Sequence, residues 1–115
     1  MRVTTDLWVS ALVRRVFSSG GFAAVMRKGA TESGTVFVLA RDRLGGVALF
    51  GPAPQSSYDS ARPEDRLFVL LGEGEEPAAL EARLEKERKF DSDIWVVEIE
   101  AGASPVEDML TIRMP

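Results

Sequence analysis

The apolar positions of this chain change period several times, and each change marks an element. From Thr5 to Ser19, the residues Trp8, Val9, Leu12, Val13, Val16 and Phe17 recur at helical spacing on one wide arc, with Ser10, Arg14 and Ser18 opposite. Thr4 or Thr5 supplies an N-cap, Asp6 suits the positive end of the dipole, and Gly20-Gly21 ends the helix. The polar face carries few cations, which fits packing on a core better than lying on a membrane surface. Phe22 to Lys28 fits two periods: Phe22, Ala24 and Met26 alternate as in a strand, while Phe22, Val25 and Met26 fit a helical turn. A strand is expected, because the glycine pair has just broken the helix.

After a turn at Thr31–Gly34, Thr35–Arg41 is rich in β-branched and aromatic residues and predicts a strand. Residues 42–46 form a hairpin loop and Val47–Phe50 pairs back. Leu67–Leu71 is wholly apolar, as expected of a central strand covered on both faces. Pro77 opens a second helix running to about Lys89, with Leu80 and Leu84 as a narrow apolar stripe and Arg83–Glu87 and Glu85–Lys89 as surface pairs. Ile94–Glu100 is the last strong strand, with Trp95, Val97 and Ile99 on one face. Ser104-Pro105-Val106-Glu107 reads as a capping box with proline in the first turn, so the tail 101–115 carries a short helical turn. The expected fold is a single α+β domain over residues 1–115: a mostly antiparallel sheet of about five strands with two helices packed on it. Short connections before residue 51 favour antiparallel neighbours, and the strand–helix–strand unit from Leu67 to Glu100 allows one parallel crossover.

Three segments carry a resemblance: Trp8-Val9-Ser10-Ala11 with Arg14-Arg15, then Gly51-Pro52-Ala53-Pro54-Gln55, then Phe90-Asp91-Ser92-Asp93-Ile94-Trp95-Val96-Val97-Glu98. In this order and spacing the chain resembles a family of short alphaproteobacterial proteins of unknown function, numbered 1491 among such domains. The resemblance implies a bacterial, cytoplasmic protein. It brings no assigned activity, so no catalytic residue is carried over.

Composition narrows the chemistry. The 115 residues contain no His and no Cys. That removes the usual neutral-pH base, the thiol nucleophile, disulfides and most zinc sites. No apolar run is long enough to span a membrane, and no secretory leader is recognisable. A cytoplasmic location is expected. Net charge is −4, with +4 in residues 1–50 and −8 in residues 51–115. An acidic chain without exposed aromatics beside its basic residues disfavours nucleic acid, although Arg14, Arg15, Arg27 and Lys28 could make a basic patch.

Residues 51–65 form the longest irregular stretch, with Pro52, Pro54 and Pro63 fixing φ at three points. Within it Gln55, Tyr58, Asp59 and Arg62 are the candidate binding residues, a set better suited to recognising a peptide or polar ligand than to breaking a bond. The plainer reading of the same stretch is a connector packed over the sheet. Asp91, Asp93, Glu98 and Glu100 have the oxygen ligands that Mg²⁺ or Ca²⁺ prefers, but Asp-Ser-Asp is also ordinary turn chemistry, and no metal site is assigned. The sequence thus leads to a binding or adaptor module with a protein partner, no cofactor and no catalytic residue. The alternative is a small hydrolase working through carboxylates, with or without a metal. The biochemical activity itself is not written in the sequence.

Overall fold

A computed structural model describes residues 4–42, 46–53, 66–73, 77–103 and 105–112. The elements in chain order are α1 (Thr5–Ser18), β1 (Phe22–Arg27), β2 (Val36–Arg41), β3 (Val47–Pro52), β4 (Leu67–Glu73), α2 (Pro77–Phe90) and β5 (Trp95–Glu100). A 3₁₀ turn (Val106–Asp108) and a two-residue strand, β6 (Thr111–Ile112), follow. The sheet order is β1-β5-β2-β3-β4-β6, with β2–β5 and β4–β6 parallel and the other three pairs antiparallel. This is the expected α+β fold.

Local chemistry sets the elements. The Leu7 amide donates to the Thr4 hydroxyl, which caps α1, and Gly20 ends the helix at φ 84°, where a side chain would be strained. The Gly46 amide donates to the Asp42 carboxylate at 2.8 Å, closing the β2–β3 hairpin. Thr5, placed just inside α1, is fully buried, and its hydroxyl donates to the Gly34 carbonyl at 3.0 Å. That hydrogen bond ties the helix start to the turn before β2.

The two helices lie on opposite faces. Val9, Leu12 and Val16 of α1 pack with Val36, Val38, Phe50, Trp95, Val97 and Ile99. On the other face Leu80 and Leu84 of α2 pack with Phe37, Leu39, Leu49, Ile94 and Val96. β2 and β5 therefore contribute side chains to both layers, which makes them the true centre of the sheet. Ile94 and Val96 sit under α2, so the face of β5 opposite Trp95 is not a plain solvent face.

Several expectations change. β1 and β2 do not pair; β5 lies between them, because its two-sided apolar pattern requires a central position. The apolar run of β4 is next to an edge, with Phe68 its one fully buried side chain and Leu70 44% exposed. β4 and β5 do run parallel, as the register of the intervening pairs requires, but α2 crosses both β3 and β2 to join them. On α2, Glu85 pairs with Arg88 rather than Lys89, and Arg83 donates to the Leu71 carbonyl at 2.8 Å instead of pairing with Glu87. Pro105 stands at the cap of the 3₁₀ turn without a side-chain hydrogen bond. Ser104 lies outside the described residues.

Candidate functional site

The sheet offers one edge built differently from the rest. β1 pairs with β5 on one side, and among the described residues no strand pairs with its other side. Its register with β5 shifts between Val25 and Arg27, a β-bulge. The bulge decides which way the following side chains go. Val25 and Lys28 line a groove on the α1 face, while Met26 and Arg27 line a groove on the α2 face. One strand thus forms a wall of two grooves.

The α1-side groove has a volume of about 420 Å³. Its floor is Val9, Val13, Val25 and Trp95, and Asp6, Ser10, Arg14 and Lys28 form its polar rim. Trp95 is 2% exposed, and its indole N–H donates to the Ala30 carbonyl at 2.8 Å, so the floor is held in place. The α2-side groove, about 220 Å³, has Leu84, Ile94 and Val96 as its base. Two of its three carboxylates are matched inside the protein, and the third, Glu81, is exposed on the rim. Glu98 lies 3.3 Å from the Arg41 guanidinium, and Glu85 accepts from Arg88. That hydrogen bond holds the Glu85 carboxyl below its ordinary range and raises the Arg88 guanidinium. Arg27 donates to the Ser92 carbonyl at 2.9 Å, and its buried Nε has no partner among the described residues.

Around this edge the surface is more apolar than a solvated strand needs. Val25 is 43% exposed and Met26 61%, and Phe17 and Phe22 make a half-exposed edge-to-face pair with centroids 5.7 Å apart. Phe90, at 83% the most exposed of the large apolar side chains described, precedes by two residues the Ser92 carbonyl that holds Arg27. Proteins commonly blunt sheet edges with bulges and lysines. The bulge, Arg27 and Lys28 do so at the end of β1, whereas Phe22–Val25 keeps a regular register.

The residues singled out from sequence fare differently. Gln55, Tyr58, Asp59 and Arg62 lie outside the described residues. The base of their loop is described: the Ala53 amide donates to the Leu67 carbonyl at 2.9 Å, and Arg66 stacks over Trp8 at 5.6 Å. The Asp91 carboxylate accepts from the Asp93 amide at 2.9 Å, which is turn chemistry, and among the described residues no three acidic side chains converge as a metal site. Of the four basic residues, only Arg14 and Lys28 come together; Arg15 donates to the Met109 carbonyl and Arg27 to Ser92. Sequence reasoning missed the grooves, since each is assembled from three or more separated segments. The available signal was the double period of Phe22–Lys28, which leaves apolar side chains on both sides of one strand.

Fold and edge together define a class: a small α+β protein whose sheet carries one helix on each face and whose β1 edge is unpaired among the described residues. The chain belongs to the family described as "Protein of unknown function (DUF1491)", which matches residues 3–106. It is similar to the protein Atu0922 from A. tumefaciens, solved in solution, at 47% identity and TM-score 0.84, covering 100% of this chain and 98% of that one. It is also similar to a DUF1491 family protein from Caulobacter crescentus CB15. The crystal structure of that protein matches at 34% identity and TM-score 0.78, covering 96% of this chain and 99% of that one. Its NMR structure matches at 34% identity and TM-score 0.79, covering 99% of each. No curated protein matches the chain. No described helix is long and apolar enough to cross a membrane.

Proposed function

We propose that this protein is a binding module that takes up an extended protein segment as an added strand along β1. The observation that carries this reading is the edge of β1, which is unpaired among the described residues and bordered on each face by an apolar groove. Strand addition uses main-chain hydrogen bonds for affinity and pockets for alternate side chains for selectivity. An edge with a groove on each side has both parts. The outer side of β4 beyond Phe68 also lacks a described neighbour, but neither of the two grooves that flank β1 reaches it.

A photo-crosslinking amino acid placed at Met26 tests the reading in the native cell, with the same group at Lys86 on the exposed side of α2 as reference. A discrete crosslinked protein from position 26 and none from position 86 is expected. Equal labelling at both positions, or none at 26, rejects it.

The loop of residues 51–65 supports a second reading, because its base is clamped by the Ala53–Leu67 hydrogen bond and the Arg66–Trp8 stack. Under that reading Gln55, Tyr58, Asp59 and Arg62 present a recognition surface. Tyr58→Ala with Arg62→Ala then removes specific partners from a pull-down while leaving the thermal midpoint nearly unchanged. A midpoint lowered by several degrees with the partners retained identifies the stretch as a connector.

A further inference from the structure

We propose that the segment received by β1 alternates apolar and acidic residues, with glutamate side chains on the α1 face and apolar side chains on the α2 face. This rests on the reading of β1 as a strand acceptor and names what that acceptor selects.

Successive side chains of an added strand point to opposite faces of the sheet. One set meets the α1-side groove and the other the α2-side groove, and the two differ in their ions. On the α2 side, Glu85 is satisfied by Arg88, Glu98 by Arg41, the Arg27 guanidinium reaches the Ser92 carbonyl, and Glu81 adds an exposed carboxylate to the rim. An acidic visitor there meets the carboxylates of Glu81, Glu85 and Glu98 beside arginines that already have partners, so the base of Leu84, Ile94 and Val96 is left to an apolar side chain. On the α1 side, Arg14 and Lys28 are both exposed, and among the described residues neither makes an ion pair. The facing carboxylate on that rim is Asp6, one negative charge against two positive, and Asp6 sits in the first turn of α1, where the helix dipole favours it.

The rim therefore has an unmatched positive charge above an apolar floor. A glutamate fits both, its methylenes over Val13, Val25 and Trp95 and its carboxylate between Arg14 and Lys28. The bulge creates this arrangement. By putting Met26 and Arg27 together on the α2 side, it returns Lys28 to the α1 side opposite Arg14.

The test uses the full ¹⁵N-labelled chain and two end-blocked synthetic heptapeptides, one alternating valine with glutamate and the other valine with lysine. The glutamate peptide is expected to move the amide signals of Phe22–Arg27 and the indole N–H signal of Trp95. It should bind about tenfold more tightly than the lysine peptide at low salt, a gap that narrows as salt screens exposed charges. Arg14→Glu combined with Lys28→Glu, both changes at exposed positions, should invert the preference while the rest of the spectrum stays folded. Equal binding of both peptides at β1, or a preference that survives the double reversal, overturns the acidic preference and leaves strand addition standing. If neither peptide moves the β1 signals, strand addition itself fails and the preference with it.

Discussion

Trp95 shows how one residue serves both packing and site. Its ring is in the α1-side core, its N–H satisfies the Ala30 carbonyl, and part of its surface is the groove floor. Gly34 lets the ring lie there, since a Cβ at that position would fall 2.7 Å from the indole. Trp95→Ala should cost about 3–5 kcal/mol in denaturant unfolding, the usual loss for a buried large aromatic. Trp95→Phe keeps most of the volume but removes one of the two donors to the Ala30 carbonyl, leaving the Gly34 amide, and should cost about 0.5–1.5 kcal/mol. If both variants unfold at the wild-type denaturant midpoint, the ring is not part of the core.

Among elements, those whose pattern is local were legible from sequence and those placed by competition were not. α1 and the β2–β3 hairpin follow from a cap, a glycine pair and a short turn, all within a few residues. The position of β4 was misjudged because an all-apolar run describes what a strand can bury, not what its neighbours leave for it. β2 and β5 have two apolar faces as well, and they took the centre. The grooves were illegible for a related reason: Val13, Val25, Lys28 and Trp95 become neighbours only after β5 inserts beside β1. The loop candidates rested on the length, prolines and residue types of one stretch, and they lie outside the described residues. On α2 the Glu85–Arg88 pair makes a small prediction. Because the folded-state pKa of Glu85 is lowered by Arg88, the pair's contribution is present above the ordinary glutamate value of 4.5 and fades as pH falls through the lowered one. A thermal midpoint measured against pH should therefore fall slightly less steeply below pH 4.5 in Glu85→Gln than in the parent. Both groups lie at the surface within reach of water, so the difference should be small.

For the whole molecule, the two-layer packing on β2 and β5 sets where stability resides. Amides of these strands are bonded on both sides and covered on both faces, so they should exchange with solvent last. The amides of β1 that point away from β5 should exchange much sooner, although they belong to the same sheet. Hydrogen exchange followed by NMR checks this, and outer β1 amides as slow as those of β2 would mean that the edge is already covered in the free protein.

The placement of β5 also governs when this protein can fold during synthesis. The strand that must lie between β1 and β2 spans residues 95–100 and is made after β1, β2, β3, β4 and α2. Until the ribosome has released it, β1 has no partner in the sheet, Trp95 is missing from the layer beneath α1, and the β2–β3 hairpin has an apolar flank in water. A nascent chain ending at Phe90 should therefore show no cooperative unfolding transition and should be readily cut by protease. Folding then depends on one late, long-range insertion, a topology that is intrinsically slow. The interval before that insertion is when the N-terminal half most needs protection from aggregation.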